Sequence, residues 1–337
     1  MRGVERVNWH LPIMQNWLSR RCQKQNRLIV IPWIWTSVMS VKIGINPITW
    51  TNDDVPSLGG DTSLEQCLTE TRQAGFRGTE LGGKFPRTSD ALRTVLARHH
   101  LDLVSGWYDG RILERNVEAE YEAILPHLTL LRDLGCKHVV YADTSRGRHD
   151  AIFRPISERP RLTAQEWPVY GPKITALAER MRAFGVGMAF HHHMGTIVES
   201  DDEIDALMKH TGDAVGLLFD TGHCAFSGGD PVALLDRHVR RVVHFHCKDV
   251  RPDVLAEARA ADMSFMDAVM AGIFTVPGDG VIPFAALLPK LASAGYAGWL
   301  VVEAEQDPAK AHPLTYATLG YKNLVAASTA AGLTVEV

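Results

Sequence analysis

Short apolar runs alternate with amphipathic helical patterns along the chain from residue 41 onward. Eight of these runs are predicted as strands: VKIGIN (41–46), GTELGG (78–83), LVSGWY (103–108), HVVYAD (138–143), GMAFHH (187–192), VGLLFD (215–220), RVVHFH (241–246) and WLVVEA (299–304). A helical pattern follows each of them. Several helices are predicted to end at a glycine just before the next strand, namely Gly75, Gly135, Gly185, Gly212 and Gly295.

Nearly continuous apolar strands alternating with helices are typical of a parallel sheet whose two faces are both covered. Eight such units predict an α/β protein with a closed (β/α)8 TIM barrel. An open doubly wound sheet is the alternative, but no G-x-G-x-x-G follows any strand and polar residues end many strands instead of meeting at one switch point. We therefore expect a barrel.

The first 38 residues have a different composition from the rest. They hold six basic residues and one acid, Glu5, before the apolar stretch LIVIPWIWTSVM. A signal peptide has a similar charge pattern, but Pro32 interrupts the stretch, no cleavage-type site follows and the first strand begins at Val41. We interpret residues 1–38 as a disordered extension or a mis-assigned start, with translation from Met39, and residues 39–337 as a single catalytic barrel.

Composition argues against several classes of partner and site. The net charge of −4 and the absence of a basic stripe argue against a nucleic-acid partner, and no segment is apolar and long enough to predict a membrane span. Five cysteines, odd in number and never spaced as C-x-x-C, argue against a thiolate zinc site and predict a reducing, cytoplasmic location. A homo-oligomer is left open. The 15 histidines are the feature to follow.

Side chains of metal-ligand type end the last four predicted strands. Neighbours along a strand point to opposite faces, so His191 and His193 share a face with His192 opposed, and Glu303 and Glu305 share another. Each residue alone has an ordinary structural explanation. Four consecutive strand ends of this kind favour a divalent metal at the mouth of the barrel, and nitrogen and oxygen donors without sulfur suit manganese, cobalt, iron or zinc.

Several motifs carry a resemblance over the chain from about Val41 to its end. The segments LLFDTGH (217–223), HFHCKDV (244–250) and WLVVEAEQDP (299–308) resemble the xylose-isomerase-like superfamily of sugar isomerases, epimerases and dehydratases. More closely, GINPITWTNDD (44–54), GTELGGKFP (78–86) and FHHHMGT (190–196) resemble the inosose dehydratases of myo-inositol catabolism.

The resemblance implies a metal held at the ends of strands five to eight. It places three ligands at Asp220, His246 and Glu303, with Glu305 as the alternative on strand eight. On strand five the usual glutamate position falls in the HHH run, where His191 is our choice and His193, on the same face, the alternative. Two carboxylates and two neutral imidazoles would balance a dication and leave it a stronger Lewis acid than three carboxylates would.

The reaction implied by the resemblance is that of a hydro-lyase, which removes water from 2-keto-myo-inositol (scyllo-inosose) to give a trihydroxycyclohexane dione. Such chemistry needs a Lewis acid beside the ketone, a base for the proton next to it, and an acid for the departing hydroxyl. Candidates for the acid and base are His223, Lys84, Glu80 and the strand-five histidine that does not bind the metal. His223 is preferred because it lies three residues after a proposed ligand and imidazole titrates near neutral pH.

Candidates for contact with the substrate are Asn46, Trp50, Trp107 and Lys248. The resemblance also implies manganese or cobalt and a glutathione requirement, for which the residues themselves give no signal. A ketose 3-epimerase or sugar isomerase on the same scaffold is the alternative. An apurinic-site endonuclease would need a basic groove, and a sugar-binding barrel would be indifferent to metal removal.

Overall fold

The structure is a computed structural model that describes residues 39–336. The predicted extension, residues 1–38, lies outside the described residues. The strands of the described part, in chain order, are β1 (Ser40–Ile45), β2 (Gly78–Leu81), β3 (Asp102–Gly110), β4 (His138–Asp143), β5 (Gly187–His191), β6 (Val215–Asp220), β7 (Val242–Cys247), β8 (Asp249–Val250), β9 (Phe274–Thr275), β10 (Trp299–Val302) and β11 (Thr334–Glu336).

Eight of these strands, β1 to β7 and β10, form a closed parallel barrel. Each pairs with the next, and β10 pairs with both β7 and β1, with Lys42 opposite Trp299 and Ile45 opposite Val302. The prediction of a (β/α)8 barrel is confirmed. Two short strands that the sequence did not predict, β8 and β9, flank residues 251–273 and pair with each other in antiparallel fashion. Strand β11 pairs with the first residues of β1.

The helices of the described part are α1 (Leu64–Ala74), α2 (Ser89–Arg98), α3 (Val117–Asp133), α4 (Trp167–Phe184), α5 (Asp201–His210), α6 (Thr221–Ser227), α7 (Pro231–His238), α8 (Pro252–Ala260), α9 (Phe265–Ala271), α10 (Phe284–Ser293) and α11 (Pro313–Ala330). The short helix α6 is absent from the sequence prediction. It begins directly after β6 because a carboxylate oxygen of Asp220 accepts the backbone N–H of His223 at 2.8 Å and caps its first turn.

Glycines end the helices at four of the five predicted positions. Gly75, Gly135, Gly185 and Gly295 have positive φ angles between 79° and 110°, the left-handed conformation that glycine adopts without strain. The prediction for Gly212 is wrong. Helix α5 leaves the helical conformation at Thr211, whose backbone is extended with φ −116° and ψ 150°, and the Gly212 N–H donates to the Thr175 hydroxyl at 3.0 Å.

The segment between β8 and β9, residues 251–273, packs over one side of the barrel mouth. It contains α8 and α9, and it contacts the long loop that follows β4, residues 144–166. The Ser157 hydroxyl donates to an Asp262 carboxylate oxygen at 2.5 Å, and the Ile156 N–H donates to the Met263 carbonyl at 3.3 Å. The sequence alone predicts a long segment here, from about Arg251 to Thr275, without showing whether it acts as a lid or a dimer contact. In the structure it joins a second segment of the rim, the loop after β4.

The apolar core fills the space between the strands and the surrounding helices, while the barrel interior changes from apolar to polar along its axis. Val140, Ala189 and Leu218 form a small apolar cluster inside the barrel. Two residues further along β5 and β6, on the same inward face, come His191 and Asp220. Within residues 39–336, no helix has the length and apolar character needed to cross a membrane.

Candidate active site

Four side chains from four neighbouring strands converge at the carboxyl end of the barrel. His191 and Asp220 are the last residues of β5 and β6, His246 lies near the end of β7, and Glu303 follows β10. One ligand-type atom from each lies within 4.8 Å of the other three, and all four side chains are buried. The structure thus brings together the four residues that the sequence named first as metal ligands.

In each of these residues, one polar atom has a partner outside the cluster and the other faces the cluster. The His191 Nδ1–H faces the His192 carbonyl at 2.5 Å, and one Asp220 oxygen caps α6. The atoms that face the cluster are His191 Nε2, Asp220 Oδ2, His246 Nδ1 and Glu303 Oε2, which are buried and make no hydrogen bond. They lie against one another, with His246 Nδ1 3.3 Å from Asp220 Oδ2 and in contact with Glu303 Oε2. Buried polar atoms without partners are costly, about 1–3 kcal/mol each, and four converging lone pairs are satisfied together by a cation.

Glu80 holds His246 from the side opposite this cluster. One Glu80 oxygen lies 3.3 Å from His246 Nε2 and 2.9 Å from His244 Nε2, and the other accepts the Asn46 amide at 2.8 Å. Burial would raise the pKa of Glu80, but the two histidines outweigh it and lower the pKa below 4.5. Glu80 is therefore a fixed anion behind His246. Glu80 is not among the residues that line the cavity, and its predicted role as a catalytic acid or base stays a prediction.

Among the three consecutive histidines, each ring has a different environment. His191 belongs to the four-residue cluster. His192 points away from the barrel axis and accepts the Asp220 backbone N–H at 3.1 Å through Nε2. The His193 Nδ1–H faces the Met194 carbonyl at 2.8 Å, and this ring lines the cavity at the barrel mouth. The expected alternation, with His192 opposed to the other two, is confirmed.

A second group of buried side chains lies beside the first. His193, His223 and Glu305 bring their ligand-type atoms within 4.8 Å of one another. The Lys248 ammonium contacts two of them, at 2.6 Å from a Glu305 oxygen and 3.1 Å from His223 Nε2. Burial, followed by the positive neighbours, lowers the pKa of His223 well below 6.5, so the expectation that His223 titrates near neutral pH is wrong. His193 and Glu305, which the sequence offered as alternative metal ligands, thus belong to this neighbouring group.

The cavity above these groups has a volume of about 300 Å³, the lower end of the range for small-molecule sites. Two predicted substrate contacts, Asn46 and Trp107, line it together with Glu303 and Glu305. Further residues of its wall were not among the predicted catalytic, metal or substrate residues, namely Asp53, Asp54, Arg87, Asp109 and His149.

For two of these residues, Asp109 and His149, the position in the sequence partly indicated a place in the active site. Asp109 lies in β3 beyond Trp107 on the same face, and His149 lies in the long loop after β4, where active-site residues of barrels commonly lie. The His149 and Asp109 side chains approach to 3.6 Å.

Three predicted site residues lie elsewhere. Trp50 is fully buried and donates its indole N–H to Glu70 on α1 at 2.6 Å, so it is a packing residue. The exposed Lys84 binds the carbonyls of Gly60 and Thr62 at 2.8 and 2.5 Å and ties that loop down, away from the cavity. Lys248 is fully buried among carboxylates and does not line the cavity, so it is not positioned to contact a substrate.

A buried ion pair fixes the loop that carries His193. The side chain of Arg159, only 1% exposed, lies 2.9 Å from a Glu199 oxygen and 2.8 Å from a Glu203 oxygen. Glu199 in turn accepts the Gly195 N–H at 2.7 Å, and Arg159 donates to the Thr196 carbonyl at 3.3 Å. The segment 193–199 is thereby clamped between α5 and the long loop after β4.

Fold and site together define a (β/α)8-barrel enzyme with a buried cluster of nitrogen and oxygen ligands at the carboxyl ends of its strands. The xylose isomerase-like TIM barrel family model matches residues 68–321. The chain belongs to this family.

Curated proteins similar in sequence to this chain include a rhizopine catabolism protein and several inosose dehydratases. The rhizopine catabolism protein MocC of Rhizobium meliloti is 69% identical over 301 residues, which cover 89% of this chain and 93% of MocC. The inosose dehydratase of Geobacillus thermodenitrificans is 42% identical over 279 residues, 82% of this chain and 94% of that enzyme. Inosose dehydratases of other bacteria match at similar identity, and the prediction of a dehydratase is confirmed.

A solved structure shares the fold. The crystal structure of the IOLI protein with a bound zinc atom has a TM-score of 0.58 and 18% sequence identity, and the match covers 86% of this chain and 98% of that one. At this identity the likeness concerns the fold alone.

Proposed function

We propose that the protein is a metal-dependent hydro-lyase that removes water from 2-keto-myo-inositol (scyllo-inosose) and forms a trihydroxycyclohexane dione. The observation that carries the proposal is the convergence of four unsatisfied ligand atoms beneath a polar cavity of about 300 Å³. Relatives 40–42% identical over 82% of the chain are inosose dehydratases, which supports this choice of substrate.

The proposed ligand atoms are His191 Nε2, Asp220 Oδ2, His246 Nδ1 and Glu303 Oε2. We propose manganese or cobalt as the metal because the resemblance to the inosose dehydratases implies these ions. Nitrogen and oxygen donors without thiolate are compatible with them. The zinc of the IOLI protein supports a divalent ion in this fold without selecting one. When bound, such an ion supplies Lewis acidity toward the ketone oxygen. Glutathione, which only the resemblance suggests, is to be tested as an addition to the assay.

We assign the proton transfers to His193. Its Nδ1–H is held by the Met194 carbonyl, so Nε2 carries the free lone pair of the neutral ring. Burial and the nearby Lys248 and His149 lower the pKa of His193, which keeps the ring neutral and able to accept the proton next to the ketone. The same proton, returned to the departing hydroxyl, completes the loss of one water molecule. Trp107, 5.2 Å from the His193 ring centre, forms the adjacent cavity wall.

The test uses purified protein stripped of metal and reloaded with Mn²⁺ or Co²⁺. On addition of scyllo-inosose, we expect the dione to form only with metal, and not in the variant His246→Ala. The variant His312→Ala, at an exposed histidine that contacts Thr315, is the matched control and should retain turnover. Absence of water loss with every metal, together with epimerisation of a ketohexose, would replace the proposal with an epimerase on the same scaffold.

A second role is favoured by the 69% identity to MocC, whose name refers to rhizopine catabolism. We propose that the protein serves that process as well. Deletion of its gene should then abolish growth on rhizopine as carbon source. Loss of growth on myo-inositol alone would restrict the enzyme to inositol.

We also propose that the catalytic domain is the barrel of residues 39–337 and that it acts in the cytoplasm. The four cysteines of the described part, Cys67, Cys136, Cys224 and Cys247, are buried and form no disulfide, as is usual in a reducing compartment. Retention of activity by a protein that begins at Met39, and its recovery from the cytosolic fraction of cells, are the corresponding tests.

A further inference from the structure

Beside the proposed metal site lies a second constellation that has the make-up of a metal site. His193, His223 and Glu305 are all buried, and their ligand-type atoms lie within 4.8 Å of one another. None of them belongs to the four proposed ligands. Two imidazoles and a carboxylate are a common ligand set for divalent transition metals. This raises the question of which cation the constellation serves.

A cation of the chain itself is already among these residues. The Lys248 ammonium lies 2.6 Å from Glu305 Oε1 and 3.1 Å from His223 Nε2. The side chain is completely buried, and Phe274 covers it with its ring centre 4.5 Å from Nζ. Taking an ammonium group out of water costs several kcal/mol unless charged and polar partners surround it, so this position is built for a positive charge.

Glu303 connects the two positions. Its Oε2 belongs to the four-residue cluster, and its Oε1 lies 3.4 Å from the Lys248 ammonium. In two-metal enzymes, whose ions lie about 3.5–4 Å apart, such a carboxylate can bridge the two ions. Here one oxygen faces the proposed metal site and the other faces an ammonium group.

We propose that Lys248 is a built-in second cation. Its ammonium occupies the position formed by His193, His223 and Glu305, so that the protein binds one divalent ion per chain, and removal of that ammonium opens the position to a second ion. The inference rests on the proposed metal site and deepens it. Lys248 is a positioning residue, because it contacts the carboxylates and not the cavity.

The charge balance explains why the position would accept a metal. The variant Lys248→Met keeps the length and apolar stem of the side chain but removes its charge. Glu305 and the second oxygen of Glu303 then lie in a buried space without a cation, next to two imidazoles. A divalent ion restores the balance, and a neutral side chain cannot.

The experiment counts metal ions. Protein stripped of metal is titrated with Mn²⁺ by calorimetry, and the ions retained after gel filtration are counted by elemental analysis. We expect one ion per chain in the unaltered protein, two in Lys248→Met, and one in the double variant Lys248→Met/Glu305→Gln. Lys290→Met removes a surface lysine that pairs with Asp236 at 2.6 Å and should leave the count at one. Electron paramagnetic resonance should show a coupled Mn²⁺ pair in Lys248→Met alone.

Each outcome decides the inference. Two ions in the unaltered protein, or one ion in a Lys248→Met protein that melts cooperatively, would overturn it. If Lys248→Met does not fold, saturation of the unaltered protein at one ion with excess Mn²⁺ supports the inference and saturation at two overturns it. No bound ion at all would remove the metal site and this inference together. One bound ion without turnover of scyllo-inosose would reject the substrate and leave the built-in cation supported.

Discussion

At the scale of single residues, the candidate site depends on which polar atom of each side chain bonds to the surrounding protein and which one faces the metal-ligand cluster. Strand alternation alone places His191 and His193 on the same face, and the sequence therefore could not choose between them. The choice follows from neighbours distant in sequence: the free Nε2 of His191 meets Asp220 and His246, whereas His193 meets His223 and Glu305. Trp50 was misassigned for the same reason, because its partner Glu70 on α1 has no signal in the local sequence.

Glu80 gives a prediction at this scale. In the variant Glu80→Gln, the anion behind His246 Nε2 is lost, and with it the group that fixes the orientation and basicity of the ring. Removal of such a partner typically weakens metal binding by about 10–100-fold. Calorimetric titration with Mn²⁺ measures the change.

The matched control is Glu65→Gln, which removes an exposed carboxylate 3.3 Å from His99 on the outside of the barrel. Its metal affinity should equal that of the unaltered protein. Equal affinities in all three proteins would show that Glu80 has no influence on the site.

At the scale of elements, the barrel strands were predictable, and the segments of the rim were not. Apolar runs bounded by turns gave β4 and β6 with their observed limits, because a buried parallel strand is apolar throughout. The helix α6 was missed because it is short and is started by the side chain of Asp220. The β8–β9 pair has two residues in each strand, too few for any periodicity to show.

Arg159 gives a prediction about the rim segment 193–199. Arg159→Met removes the buried cation beside Glu199 and Glu203 and leaves Glu203 only the exposed Arg161 at 3.4 Å. Breaking a buried pair in this way typically costs about 3–5 kcal/mol of unfolding free energy. Chemical denaturation monitored by circular dichroism measures it. In Arg161→Met, where the side chain is 59% exposed, the change should stay within about 0.5 kcal/mol. Similar losses of unfolding free energy in both variants would mean that the buried ion pairs of Arg159 stabilise the protein no more than the exposed ion pair of Arg161 does.

His138 gives a prediction about pH at the other end of the barrel, at the start of β4. Burial, with smaller contributions from His244 and Lys137, lowers its pKa from 6.5 to about 4. Between these values the unfolded chain binds a proton that the folded chain does not, so stability falls as the pH is lowered from 6.5 toward 4. The contribution of this one group is roughly 3 kcal/mol at most.

The variant His138→Gln should therefore have a flatter dependence of stability on pH across that window. Urea denaturation at a series of pH values gives both curves, and His312→Gln, at an exposed position, serves as the comparison. A slope in His138→Gln as steep as in the unaltered protein would assign the acid sensitivity to other groups.

At the scale of the whole molecule, the proposed metal should stabilise the fold. The four ligand atoms come from β5, β6, β7 and the end of β10, so one ion cross-links a quarter turn or more of the barrel. At a free Mn²⁺ concentration 100 times the dissociation constant, the free energy of unfolding should rise by about 2.7 kcal/mol. Calorimetric melting with and without Mn²⁺ measures the shift.

Asp220→Asn is the matched variant for this measurement, since asparagine caps a helix as well as aspartate does and so preserves α6 while weakening the metal site. Its melting temperature should respond to Mn²⁺ much less than that of the unaltered protein. A shift as large as that of the unaltered protein would place the stabilising ion elsewhere.

The pairing of β11 with β1 brings the two ends of the described chain together, since the Thr334 N–H donates to the Met39 carbonyl at 2.9 Å. Chains with adjacent ends commonly tolerate circular permutation. Because β11 runs parallel to β1 and Glu336 lies opposite Lys42, the linker has to return along the strand from Glu336 to Met39. Such a linker would allow new termini at the turn between α2 and β3, at His99 and His100, on the face opposite the catalytic mouth. The enzyme is thus suited to insertion into another protein as a closed module.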